Sequence, residues 1–162
     1  MTDETQRPIY EWTAAEVGDS VAPRDTVVET SRIAQYVATS GDTNPLYTDE
    51  AFAHAHGFDG LAVPVSMTIR VAPGRRALII DRKGYGHPVR PTPFARWQCE
   101  LHAPMKVGDT ITSNSQLGDK FEKNGRKYLV WQVEAYNQHG EKVAEYRATN
   151  SWEGAKPEDR SR

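Results

Sequence analysis

Residues 40–67 read SGDTNPLYTDEAFAHAHGFDGLAVPVSM, and this stretch decides the fold. Gly41-Asp42-Thr43-Asn44-Pro45 is dense in turn formers, and Pro45 disfavours an α conformation at Asn44, so a preceding helix must stop here. A short helix rich in Ala and His is expected over residues 49–56, ending at Gly57. Gly60 and Pro64 follow, and Pro64 suits the start of another helix, whose first N–H groups have no intrahelical acceptor. The carboxylate of Asp42, the phenol of Tyr47 and a helix start within one loop can handle a proton and an oxyanion together. Each residue also has a plainer reading: Asp42 closing an Asx-turn, Tyr47 a packed aromatic, the glycines ordinary loop punctuation.

The run Gly41-Asp42-x-Asn44-Pro45-Leu46-Tyr47-x-Asp49, followed by Ala53, Gly57-Phe58 and Gly60-Leu61, resembles a known signature. It is similar to the G-D-x-N-P-[IL]-H-x-D motif of the MaoC-like (R)-specific enoyl-CoA hydratases and acyl dehydratases. Ala103-Pro104-Met105-Lys106-Val107-Gly108-Asp109-Thr110-Ile111 resembles that family's second block, and Asn137-Gln138-x-Gly140-Glu141-x-Val143-Ala144 its closing hairpin. The resemblance spans residues 25–152. It implies an α+β hotdog fold, an antiparallel sheet wrapped around a central helix, and a dimer. In the family the Asp and a following His activate water, while backbone N–H groups at the start of the central helix hold the thioester oxygen. Carried onto this chain, the resemblance makes Asp42 the base, with Tyr47 orienting or protonating. Asn44 braces the loop, and the N–H groups of Val65 and Ser66 bind the substrate oxygen. Tyr47 stands where the family has His, and Val63-Pro64 where its hydratases show His-Gly. Both changes recur in a branch with a Pro-rich helix start that includes non-catalytic subunits of heteromeric dehydratases.

Ahead of the bend, Ile33, Tyr36 and Val37 recur at i, i+3 and i+4, which predicts an amphipathic helix ending at Gly41 with Thr30 or Ser31 as its N-cap. Beyond it, Val65, Met67, Ile69 and Val71 fit helix and strand alike, and the fold resemblance with Pro64 selects helix. Pro73-Gly74 should break that helix, with residues 75–80 resuming it. Residues 82–93 read as a long irregular loop. Its cations Arg82, Lys83 and Arg90, with Arg96 beyond, either meet the phosphates of coenzyme A or form a solvated surface. The C-terminal third is strand: residues 97–102, 109–121, 128–136 and 142–152, with Asn124-Gly125 as a hairpin turn. Leu129, Trp131, Val133 and Ala135 share one face, and a sheet with one apolar face must bury it against the helix after Pro64. Val17-Gly18-Asp19 and Val107-Gly108-Asp109 each read as a tight turn feeding a strand, without a surrounding repeat.

At 162 residues a single domain over 1–152 with a polar tail over 153–162 is expected. Residues 1–6 are expected to be mobile, and residues 8–12 to lie across the domain. A net charge of −2 argues against nucleic acid or an anionic membrane as partner. The lone Cys99 and the lack of an apolar leader point to the cytoplasm. The histidines His54, His56, His87, His102 and His139 show no metal spacing, so no metal or cofactor is expected. His56 reads as a helix-end cap, or as a substitute for the missing imidazole base. The expected function is a hydratase or dehydratase acting across the 2,3-double bond of an enoyl-CoA or enoyl-acyl-carrier thioester. The alternative is a non-catalytic hotdog subunit that binds the acyl chain and pairs with a catalytic Asp/His subunit. The two part at Tyr47, because a phenol with a pKa of about 10 is no base at neutral pH.

Overall fold

A computed structural model describes residues 7–153, so the expectations for residues 1–6 and for the tail past residue 153 lie outside the described residues. The strands are β1 (Arg24–Val27), β2 (Phe94–Leu101), β3 (Thr110–Lys123), β4 (Arg126–Tyr136) and β5 (Lys142–Ser151). The helices are α1 (Thr30–Ser40), α2 (Glu50–Ala55), α3 (Thr68–Val71) and α4 (Arg76–Arg82). The strands form one antiparallel sheet in the order β1-β3-β4-β5-β2. Its apolar face wraps the helical segment after Pro64, the hotdog arrangement.

Local chemistry sets most boundaries. α1 buries Ile33 and Val37 and stops at Gly41, whose φ of 69° lets its N–H reach the Val37 carbonyl. Its N-cap is Glu29, not Thr30 or Ser31, and has no side-chain cap. The cause is tertiary: Val28 pairs with Asp109 and Gly108 through its N–H and carbonyl, which holds the chain extended up to Glu29 and starts the helix one residue early. α2 is capped by Asp49, whose Oδ1 accepts from Phe52 N–H at 3.0 Å. At its other end His56 Nδ1 lies 2.8 Å from the Phe52 carbonyl and the two rings stack.

The central helix is shorter and more broken than one continuous rod. Pro64 caps a single 3-10 turn, Val65–Met67, which passes into the four residues of α3. Val65, Thr68, Ile69 and Val71 are β-branched and weak helix formers, and Pro73 pushes Ala72 out of the helical region to φ −122°, ψ 71°. The helix resumes as α4. The carbonyl of Ala72, freed by this break, accepts the buried Tyr146 hydroxyl at 2.8 Å. Burial pushes the Tyr146 phenol well above its ordinary pKa.

The core has two parts. One joins Ile33 and Val37 of α1 to Met67 and Val71 of the central helix and to Ala135 and Ala144 of the sheet, with Tyr36 and Tyr47 packed against it. The other gathers Tyr10, Ile79 and Ile80 with Trp131 and Trp152. Residues 8–10 cross over the domain as expected: Ile9 bridges Gly86, and Trp152 Nε1 donates to the Tyr10 carbonyl at 2.9 Å. Tyr10 is fully buried and its hydroxyl donates to Asp19 Oδ2, which also accepts from Lys83 Nζ at 2.8 Å. The two Val-Gly-Asp triplets fold alike. In each the Gly has φ near +90° (98° and 92°), and the Asp side chain accepts the N–H three residues back, Glu16 or Lys106.

The edge strand β2 is unusual. Trp97, Cys99 and Leu101 oppose Ala148, Tyr146 and Ala144, which places them on the sheet's inner face. Yet Trp97 is 41 % exposed, Leu101 45 % and neighbouring Phe94 62 %. The inner face therefore runs past the helix that covers its middle and is left bare at this edge.

Candidate functional site

The bend that ends α1 is held by its own side chains. Asp42 Oδ1 accepts from Asn44 N–H at 3.0 Å, and Asn44 Oδ1 accepts from Leu46 N–H at 3.1 Å, capping the 3-10 turn Pro45–Tyr47. The turn is fastened to the segment that leads into the central helix, because the Leu46 carbonyl accepts from Ala62 N–H at 2.9 Å. Val63 N–H in turn donates to the Met105 carbonyl and Val107 N–H to the Leu61 carbonyl. Three separated blocks of sequence thus meet at one place. Asp42 is exposed and its carboxylate serves the Asx-turn; Tyr47 is half-buried against the core that also holds Tyr36, Val63 and Met67.

At the helix start Val65 and Ser66 are exposed. Among the described residues neither of their N–H groups has a backbone partner, as expected for the first positions of a turn. Thr68 Oγ1 closes back on the Val65 carbonyl at 2.7 Å. Ser66 Oγ accepts from the Tyr36 hydroxyl at 2.8 Å, so α1 is tied directly to the beginning of the central helix.

A cavity of about 610 Å³ opens between these two helices. Met67 and Val71 form its apolar floor, and Arg32, Tyr36, Thr39 and Arg70 are among the residues that line it. Asp42, Asn44, Tyr47, Val65 and Ser66 are not lining residues, although Ser40 and Tyr36 bring the cavity to the foot of the bend and to Ser66. Arg32, Tyr36 and Arg70 are side chains the sequence reading did not single out as site residues. The one available signal was the i, i+4 spacing of Arg32 and Tyr36 on α1.

The other charged features are structural in their partners. Lys83 is drawn to Asp19, while Arg96 lines a separate cleft with Arg147 and Phe121, so the four cations near the 82–93 loop do not form one set. That loop is fastened by Asn150 Nδ2 donating to the Thr92 carbonyl at 2.7 Å and by His87 lying 3.0 Å from Asp81. Glu100, His102 and Glu145 bring ligand-type atoms within 4.8 Å of one another, but Glu145 is already paired with Lys142, whose hydrogen bond holds its carboxyl below the usual range. Among the described residues no helix is long and apolar enough to cross a membrane.

The sequence matches the family described as FAS1-like, dehydratase domain region, over residues 15–146. No protein with a curated description matches it significantly. The structure is similar to that of a monoamine oxidase regulatory protein from Archaeoglobus, with a TM-score of 0.75 and 17 % identity over 93 % of this chain and 98 % of that one. It is also similar to the R-hydratase PhaJ1 of Pseudomonas aeruginosa, with a TM-score of 0.67 and 21 % identity over 89 % and 86 %. The third is the HadBC (3R-hydroxyacyl-ACP dehydratase) complex of Mycobacterium tuberculosis, with a TM-score of 0.71 and 16 % identity over 85 % and 98 %. At these identities the structural likenesses show the fold.

Proposed function

Because the chain belongs to the FAS1-like dehydratase-region family of MaoC-like proteins, we propose that it adds or removes water across the 2,3-double bond of an acyl thioester in the cytoplasm. The observation that carries this reading is the fastening of the 42–47 bend to the segment that starts the central helix, through the Leu46 carbonyl and Ala62 N–H. In the hydration direction the Asp42 carboxylate takes a proton from water as the water oxygen bonds to C3. The electrons of the double bond move onto the thioester as an enolate. The N–H groups of Val65 and Ser66 hold the enolate oxygen, each such donor contributing about 3 kcal/mol in the transition state. C2 then takes a proton, regenerating the carboxylate and giving the 3-hydroxyacyl thioester. Tyr47 orients the water and Asn44 braces the turn.

Asp42 is exposed in the single chain, and a useful general base needs partial burial. A second hotdog protomer supplies it: the bare inner face at β2, with Phe94, Trp97 and Leu101, is the surface such a protomer covers. The dimer is therefore part of the proposed site, whether the second subunit is identical or not. Among the described residues no imidazole is hydrogen-bonded to Asp42, whose Oδ1 accepts from the Asn44 N–H, and His56 turns its Nδ1 to the Phe52 carbonyl; this favours a second reading. In it the chain binds the acyl group and completes the pocket of a partner that carries an Asp/His pair.

The test is to purify the chain alone and follow the absorbance of a panel of enoyl-CoA thioesters. Turnover that Asp42→Asn abolishes and Tyr47→Phe reduces supports catalysis by this chain. Turnover that appears only on adding a partner hotdog subunit supports the second reading. Full rate retained by both variants overturns the site assignment.

A further inference from the structure

The cavity between α1 and the central helix has a composition the proposed chemistry does not call for. Its floor is apolar, Met67 being 2 % and Val71 1 % exposed. Arg32 comes from α1 and Arg70 from α3, and no acidic residue is among those that line the space. Among the described residues neither guanidinium makes an ion pair or a hydrogen bond. That sets them apart from Lys83, Lys106 and Lys142, each of which is paired to a carboxylate. The hydroxyl of Thr39 is turned back to the Gln35 carbonyl of its own helix, so the guanidiniums supply the strongest free donors. Two uncompensated cations facing one concave space repel each other, and a bound anion removes that cost.

We infer that this cavity is an oxyanion site, taking a short apolar chain against Met67 and Val71 and the anionic end of the ligand on Arg32 and Arg70. Guanidinium forks match the paired oxygens of a carboxylate or phosphate, and the volume of about 610 Å³ lies in the usual range for a small-molecule site. The identity of the ligand as an acyl thioester rests on the proposed function; the anion site itself does not. Since Tyr36 joins the cavity wall to Ser66, a thioester reacting at the helix start has its acyl chain or its carrier arm within reach of this space. The anion is then either a carboxylate on the far end of the acyl chain or a phosphate of the carrier.

The experiment is calorimetric titration of the full chain with three saturated probes. These are the glutaryl and pentanoyl thioesters of N-acetylcysteamine, which carry no phosphate, and pentanoyl-CoA. Arg32→Gln and Arg70→Gln are compared with the parent protein; both positions are exposed, and circular dichroism checks that each variant is folded. We expect each variant to bind glutaryl-N-acetylcysteamine about tenfold more weakly while binding the neutral pentanoyl analogue within about twofold of the parent. That result assigns the acyl carboxylate. Weakening confined to pentanoyl-CoA supports the anion site and assigns the phosphate instead. Equal loss for the neutral probe, no loss for any probe, or no binding of any probe by the parent protein overturns the proposal. Saturated thioesters cannot be hydrated, so an arginine-dependent affinity in a protein that never turns over an enoyl thioester sinks the proposed reaction and leaves the anion site standing.

Discussion

The hydroxyl of Tyr36 lies 2.8 Å from Ser66 Oγ, joining the middle of α1 to the first turn of the central helix. The bond is exposed, so its net worth to folding is small, about 1 kcal/mol or less. Its weight falls on position: it ties α1 to the residue whose N–H is proposed to hold the substrate oxygen. Tyr36→Phe and Ser66→Ala are each expected to leave the urea midpoint nearly unchanged and to lower kcat/KM for enoyl hydration several-fold. Since both remove one interaction, the double variant should lose no more than either alone. Additive losses would show that the two side chains act separately.

The Tyr10–Asp19–Lys83 network predicts how stability follows pH. Burial works against the Asp19 charge, but Lys83, the Glu16 N–H and the Tyr10 hydroxyl outweigh it and hold the carboxyl below its ordinary pKa. Its contribution is therefore complete above about pH 4 and is lost as the pH falls through the lowered value. Burial, then Asp19, raises the Tyr10 phenol, and Lys83 is raised as Asp19 and Glu16 overcome its own desolvation. Their contributions are complete below about pH 10 and are lost as the pH climbs. Asp19→Asn should cost roughly 2 kcal/mol at pH 7 and progressively less toward pH 3. Urea unfolding of both proteins across that range measures the difference, and a constant gap would contradict the linkage.

How much of this was legible in the sequence depends on how locally each feature is specified. The Gly41 stop and the hairpin turn follow from a few adjacent residues; Asn124 and Gly125 do take φ of 54° and 72°, whereas Asp49 and His56, expected inside the short helix, cap its two ends. The break before α4 follows from Pro73 in the same way. The Glu29 cap does not, because Val28 is held by residues 108 and 109, far along the chain. The cavity is hidden for the same reason: Arg32 and Tyr36 meet Met67 and Arg70 only once α1 lies across the central helix. Asp42 could be placed at the bend from sequence, but its exposure in a lone chain could not.

Gly118 tests the packing of the long strands. It lies where the β3–β4 register shifts between Leu117 and Asp119, and a Cβ built there would come within 3.0 Å of Gln132 Cβ and 2.8 Å of Gln132 Oε1. The amide end can swing away; the Cβ belongs to the neighbouring strand and cannot. Gly118→Ala should therefore destabilise by about 1 to 3 kcal/mol, read as a lower melting temperature. Pairing it with Gln132→Gly, which removes the obstructing Cβ, should recover part of the loss, whereas failure to recover would place the strain in the backbone.

The bare edge makes the last prediction. Trp97 sits on the inner face opposite Ala148 and packs its ring 4.4 Å from that of Tyr146, yet 41 % of it faces solvent. Within the single chain a lysine there needs little rearrangement, since its ammonium reaches water along the open edge. Covered by a second protomer, the same lysine would bury an unpaired charge on an apolar face, which is costly. Trp97→Lys should therefore leave the monomer folded by circular dichroism while shifting sedimentation from dimer to monomer. Because the proposed site needs the second protomer to enclose Asp42, hydration should fall with the dimer fraction and recover as protein concentration is raised. A variant that stays dimeric with full activity would place the protomer contact elsewhere on the sheet.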